Sequence, residues 1–287
     1  MNIRHRIGLP RMSFHAMNRG ARKALIFRQD EDRRVFVDLL GRFCLKHGIV
    51  LTSWSLMPNH YHTEPDGEGT PLSKMMHDLD GRYARYYNEV YEASGCLFQG
   101  PFKSMSIDSD KGLAYVSRYI HLNPRDLGVN PLMYPWSSCR SYLGLDPTPT
   151  WLDPMPVLRQ FGNTLEEART NYRFYLESAP PRRRKSPPGD DPVDDYLVDY
   201  VGYLEGMWTE RCQSLGWPPP SFPMEHFLCW YAHKQERIPI RVLREYYGYA
   251  SPGAVRVMLT RFSRRLKENG ELAKWFARVN VLASPQR

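Results

Sequence analysis

Residues Met57–Gly69 read MPNHYHTEPDGEG. The run before them, IVLTSWSLM, is β-branched and aromatic, as strands are. Pro58-Asn59 is turn chemistry, and it delivers the chain into His60-Tyr61-His62. On an extended backbone residues i and i+2 project to one face. His60 and His62 can therefore aim both imidazoles at one point while Tyr61 turns into the core. Imidazole is the commonest side-chain ligand for divalent metals, so a converging pair is the start of a cation site. Local hydrogen bonding explains an isolated H-x-H equally well, and short motifs often match by chance. Beyond His62 the strand pattern stops: Thr63-Glu64-Pro65 leads straight into an acidic, glycine-rich loop. Pro65 has no N–H for a central ladder. The expectation is a strand frayed just past His62, with Glu64 a substitute ligand only if the strand persists.

Outward from this segment the chain alternates. MSFHAMNRG reads as a strand ending at Gly20. DEDRRVFVDLLGRFCLKHG reads as a helix with acids at its start and Lys-His-Gly at its end. TPLSKMMHDLDGRYARYYNEVYEASG is a long helix interrupted only by Gly81, and LFQGPFKSMSID is a strand bent near Gly100-Pro101. DSDKGLAYVSRYIHLNP is a helix halted by Pro124. The order β-α-β-β-α-β-α predicts an α+β fold, a ferredoxin-like antiparallel sheet with packed helices. This domain is expected over residues 1–145. A connecting segment follows over 146–192, from the proline-rich LDPTPTWLDPMP to the linker SAPPRRRKSPPGDDP (Ser178–Pro192), which has too little apolar surface to fold. A helical domain is expected over 193–283.

The 287 residues are 42% hydrophobic and 13% aromatic, which excludes a disordered chain. A net charge of +8 admits an anionic partner such as nucleic acid without requiring one. Cys44, Cys96, Cys139, Cys212 and Cys229 are scattered with no C-x-x-C pair, as free thiols in a reducing compartment would be. The basic N-terminus lacks the apolar region of a signal peptide, and no run nears the ~18 apolar residues of a membrane span. The expectation is a soluble cytoplasmic protein with no membrane partner.

In AYVSRYIHLNP, helical spacing puts Tyr115, Tyr119 and Asn123 on one stripe, with His121 pointing away. Tyr119 could supply a phenolate nucleophile, and Asn123 an oxygen for a metal or a donor for phosphate. A phenol of pKa near 10 needs activation, which a cation gives by polarising the phosphate. Packing against the sheet explains Tyr115 better. Arg19, Arg22, Arg82, Arg85, Lys103, Arg118 and Arg125 lie in or beside these segments, where they could neutralise phosphates. Tyr83, Tyr86, Tyr87 and Phe102 are candidates for base stacking, although some of them must build the core.

Near the C-terminus Ile240, Leu243 and Tyr247 define one helix, Gly248 breaks it, and Ser251-Pro252 starts another. The second helix is expected to bury Val255, Met258, Leu259, Phe262 and Leu266, leaving Arg256 and Arg261 for duplex DNA. That is a helix-turn-helix pattern, and a plain helical bundle with a charged exterior is the alternative.

Taken in order, NRG, MPNHYH, GRYARYYN, LFQGPFK, SRYIHLNP and YPWSSCRSYLG resemble the single-tyrosine HUH transposases of the IS200-like superfamily. Within it the chain is most similar to the REP-associated tyrosine transposases, over Met12 to Gly144. The resemblance implies that His60 and His62 bind a divalent metal, magnesium or manganese, with Asn123 completing the site. It implies that Tyr119 attacks single-stranded DNA, leaving a 5′-phosphotyrosine and a free 3′-hydroxyl, on substrates that are often hairpins of repetitive extragenic palindromes. A monomer or a homodimer is compatible, with the tyrosine acting within its subunit or across a dimer. The C-terminal segment resembles the DNA-binding domain of the replication initiator DnaA. The competing expectation is a catalytically degenerate DNA-binding regulator, which the short segment after His62 favours. Relatives continue the strand there through several apolar residues. A structural metal protein is disfavoured by the lack of a closed Cys/His ligand set.

Overall fold

The computed structural model describes residues 13–66, 70–107, 110–179, 197–208 (199, 203 and 207 apart), 224–234, 238–270, 272 and 274. The chain divides into two compact units, residues 1–180 and 181–287.

The first unit runs β1 (Ser13–Arg19), α1 (Asp30–His47), β2 (Val50–Met57), β3 (His60–Asp66), α2 (Thr70–Val90), β4 (Lys103–Ile107) and α3 (Asp110–Leu122). The sheet order is β2-β3-β1-β4, with antiparallel pairing throughout. This is the ferredoxin-like arrangement the element order predicts. Local chemistry sets the boundaries. Helix α1 opens with Asp30, Glu31 and Asp32 and closes with Lys46 and His47, charges that suit the two ends of its dipole. It stops at Gly48, whose φ of 67° places it in the left-handed cap conformation that glycine adopts at no steric cost. The aromatic and aliphatic residues of α1 and α2 cover one face of the sheet, where Phe36, Leu40, Met75, Leu79 and Tyr83 pack with Leu56 and Tyr61. The other face receives α3, which rests on β2 and β3.

Strand β3 does not fray past His62. It pairs through Thr63 and Asp66 with β1 and through Glu64 and Pro65 with β2, so the histidines open a complete central strand. Pro65 is accommodated because the register of β2 shifts between Leu51 and Ser53, a local irregularity of the kind that tolerates a missing donor. Side-chain hydroxyls reinforce the segment: Thr52 donates to the Glu64 carbonyl at 2.9 Å and Thr63 to the Ala16 carbonyl at 3.2 Å. The expectation of a shortened strand is thereby corrected.

The structure also moves the end of the first unit. Residues 146–179 fold onto it instead of leading away from it. The Leu51 amide donates to the Trp151 carbonyl and the Asp153 amide to the Leu51 carbonyl, extending the edge at β2. The Trp151 indole lies against Gly41, where a Cβ would come within 2.5 Å of its ring nitrogen. Short helices α4 (Cys139–Tyr142) and α5 (Met155–Leu158) and the longer α6 (Leu165–Glu177) then bury Tyr142, Val157, Leu158, Tyr172 and Leu176. Residues 180–192 of the expected linker lie outside the described residues, as do Cys212 and residues 67–69 of the acidic loop.

In the second unit α7 (Met224–Lys234), α8 (Ile240–Tyr247) and α9 (Pro252–Glu268) pack on one another. Gly248, at φ 72°, ends α8, and the Ser251 hydroxyl accepts from the Ala254 amide to start α9. Val255, Met258, Leu259 and Phe262 are buried as the spacing predicts. On α8 the buried stripe is Val242, Leu243 and Tyr246. It is therefore offset from the expected Ile240, Leu243 and Tyr247, because the helix uses its i, i+1, i+4 positions. Among the described residues no helix is long and apolar enough to cross a membrane. Cys44, Cys96, Cys139 and Cys229 are free thiols.

Candidate active site

The register of the sheet decides which side chains share the face under α3. Met17 stands opposite His62 and Arg19 opposite His60 on β1, Ser55 opposite His62 on β2, and Lys103 opposite Met17 on β4. His60, His62 and Glu64 therefore project toward α3, as do His15 and Arg19, while Tyr61 enters the opposite core as predicted.

The Tyr119 ring meets this face. Its centroid is 5.5 Å from that of His62 and 5.6 Å from that of His15, edge-on in both cases. The His60 and His62 rings are 5.0 Å apart at 87°. Thus the imidazole pair and the phenol, 57 residues apart between His62 and Tyr119, are side by side. His62 and Tyr119 are 1% and 6% exposed, and His60 is half-buried.

Sequence reasoning missed His15. Its Nε2 lies 3.0 Å from His62 Nδ1, and the two rings stack at 5.1 Å. Burial lowers the His15 pKa to about 3, so the ring is neutral near pH 7. On the other side His60 Nδ1 sits 2.7 Å from Asn59 Oδ1. Both motif histidines thus have Nδ1 in a protein contact, which is how ligand imidazoles are commonly held in one tautomer. The only signal for His15 in the sequence is its place in MSFHAMNRG, and nothing there gives a register.

Glu64 is not among the groups that face outward. It is 0% exposed, and its Oε2 accepts hydrogen bonds of 2.6 Å from both the Ser53 and Ser117 hydroxyls. One carboxyl oxygen therefore ties β2 and β3 to α3, two residues before Tyr119. Burial raises its pKa to about 7, against the lowering effect of the hydroxyl donors. Asn123 closes α3: its Nδ2 donates to the Tyr119 carbonyl at 3.0 Å, and the residue is buried. His121 points away as expected, to Tyr172 and Ser138. Among the described residues no group of three or more His, Cys, Asp or Glu side chains is arranged to hold a metal.

The basic residues separate into classes. Arg19 and Lys103 share the histidine face. Arg22 is exposed just after β1, and Arg82 and Arg85 are exposed on α2, which packs on the opposite face. Arg118 stacks on the Tyr175 ring at 4.1 Å, and Arg125 donates to the Leu176 and Ala179 carbonyls at the end of α6. Arg118 on α3 and Arg125 in the 3-10 turn that follows it thus tie this segment to α6. Tyr83 and Tyr87 donate to the Ile26 and Leu25 carbonyls and line the core, which removes them as base-stacking platforms.

Residues 9–123 match the family model described as "Transposase IS200 like". That span ends at Asn123 and takes in His60, His62 and Tyr119. The matched span lies within the first unit. Two solved structures are similar to the chain. One is described as a REP-associated tyrosine transposase bound to a REP hairpin, with 18% identity over 51% of this chain and 89% of that one at a TM-score of 0.40. The other is a candidate transposase from Deinococcus radiodurans R1, with 16% identity over 42% of this chain and 95% of that one at a TM-score of 0.32. Among curated proteins none matches the chain. In the first unit α4 to α6 lie C-terminal to the matched span, and α5 and α6 pack against α3.

Proposed function

We propose that the first unit is an IS200-like transposase domain, a DNA strand-cleaving and strand-joining enzyme in which Tyr119 is the nucleophile and His60 and His62 are metal ligands. The observation that supports this reading best is the meeting of the Tyr119 ring with His62 across α3 and β3. The phenol oxygen bonds to the phosphorus of a single-stranded substrate, and the bond from phosphorus to the 3′-oxygen breaks. The protein then holds a 5′-phosphotyrosine, and the leaving 3′-oxygen takes up one proton for the one the phenol loses. A hairpin substrate follows from the sequence resemblance.

The side chains present suit a divalent metal, magnesium or manganese. With Nδ1 of His60 facing Asn59 and Nδ1 of His62 facing neutral His15, Nε2 is the nitrogen through which each ring would reach a cation. Asn123 would contribute through Oδ1, since its Nδ2 serves the Tyr119 carbonyl. Bound there, such a cation supplies polarisation of the phosphate and charge stabilisation on the transferring group. Arg19 and Lys103 on the same face would neutralise neighbouring phosphates. In the second unit, α9 exposes Arg256 and Arg261 beyond a tight glycine turn, a helix-turn-helix placement suited to duplex DNA. The regulator reading drew its support from a shortened strand, and β3 is complete.

The test is direct. The full chain is incubated with labelled hairpin DNA and manganese and resolved on a denaturing gel. A covalent adduct is expected for the native protein and none for Tyr119→Phe, with DNA binding retained in both. Tight binding without any adduct in the native protein would replace the enzyme by the regulator.

A further inference from the structure

The first unit has a concave basic surface whose lining includes none of the histidine-face residues. Leu143, Leu165, Glu166, Arg169, Thr170 and Arg173 line a cavity of about 460 Å³ between the end of α4 and α6. Arg169 and Arg173 are one helical turn apart, so their guanidinium groups lie on the same side of α6. Four other arginines of this unit pair with acids: Arg33 with Asp30, Arg34 with Glu31, Arg42 with Asp38 and Arg140 with Asp146. Among the described residues Arg169 and Arg173 have no such ion pair, and the Arg169 Nε is a buried donor without an acceptor. Like charges at i and i+4 repel, and a buried, unsatisfied donor costs stability.

The backbone is shaped to allow it. Gly144, at φ 71°, ends α4 where a Cβ would stand 2.8 Å from the Arg169 guanidinium carbon. A side chain at 144 would therefore face both backbone strain and a collision with that guanidinium. Two unpaired, fork-shaped cations beside the Thr170 hydroxyl make a match for phosphate oxygens, which guanidinium binds in bidentate fashion. Glu166 on the rim disfavours a bare anion crowding that side, and leaves the arginines as the anchoring groups.

We infer that Arg169 and Arg173 form a phosphate-binding subsite for the DNA backbone, separate from the tyrosine site. This rests on the reading of the domain as a DNA-processing one. A strand held there keeps its grip through α6, which is fastened to the nucleophile helix and the turn after it by Arg118 and Arg125.

The experiment uses the full chain with Tyr119→Phe, so that binding is read without cleavage, and measures hairpin affinity against salt by fluorescence anisotropy. Each phosphate neutralised contributes about −0.7 on a single strand and about −0.9 on a duplex stem to the slope of log K against log salt. Arg169→Gln with Arg173→Gln is expected to make the slope shallower by about 1.4 to 1.8, and Arg169→Lys with Arg173→Lys to retain most of it. The pair Arg34→Gln with Arg42→Gln, whose arginines already have acid partners, is expected to change the slope little. Melting curves report whether each variant is folded. Should the glutamine pair fail to fold, Glu166→Gln carries the test: removing that charge is expected to tighten binding about twofold. A folded glutamine pair with the native slope, or a Glu166→Gln that binds no tighter, overturns the subsite. Loss of all DNA binding by the parent protein would instead sink the DNA-processing reading.

Discussion

His15 shows how much one neutral ring can matter. It stacks on His62 and lies in hydrogen-bond contact with its Nδ1, so it holds the plane of a candidate ligand and occupies the nitrogen that ring does not turn to a cation. Its replacement by leucine keeps an apolar filler in place and removes the nitrogen. Manganese affinity of His15→Leu, measured by titration calorimetry, is expected to fall by about 10- to 100-fold with the fold retained. Unchanged affinity would leave His15 as packing alone. Glu64 acts at the same scale but on stability. In Glu64→Ala the Ser53 and Ser117 hydroxyls are left buried beside a cavity, at a cost of about 2–4 kcal/mol in denaturant unfolding. Glu64→Gln keeps an acceptor there, and a loss as large as that of alanine would contradict the bridging role.

Between elements, α2 and the sheet are joined by Asp80. It accepts from the Tyr61 hydroxyl at 2.6 Å and from Asn18 Nδ2 at 2.8 Å. Burial is the main cause that raises its pKa to about 6, the donors from Tyr61 and Asn18 opposing it. The folded state therefore holds this proton more tightly than the unfolded chain does. Stability from this group is present below pH about 4 and is lost as pH rises toward 6, by about 3 kcal/mol. Asp80→Asn cannot titrate, and its unfolding free energy is expected to lack that fall, on top of a pH-independent loss from placing its amide against Asn18. Parallel slopes for the two proteins between pH 4 and 6 would exclude the assignment.

At the scale of the whole molecule, the boundary of the first unit is a physical statement about what α5 and α6 bury. A fragment of residues 1–180 is expected to unfold in one cooperative transition. A fragment of residues 1–145 loses Trp151, Leu152, Val157, Leu158, Tyr172 and Leu176 from the packing. Each large core side chain is worth about 2–5 kcal/mol against a total of about 5–15 kcal/mol, so the shorter fragment is expected to be unfolded or aggregated. Equal stability of the two fragments by circular dichroism would restore the earlier boundary.

Much of this was legible locally. The two-residue period set His60 and His62 on one side and Tyr61 on the other, acids and bases at the ends of α1 marked that helix, and the order of elements led to the sheet order. Those features depend on neighbours a few residues away, so the chain carries them in plain sequence. What followed His62 was misread because Pro65 looks like a strand breaker until the shift in β2 opposite it is known. The role of His15, the seating of Glu64 between two hydroxyls, and the folding of residues 146–179 onto β2 and α3 were settled only by register and packing. Such contacts join residues tens of positions apart, and no local period in a single sequence encodes which distant partner a buried group will meet.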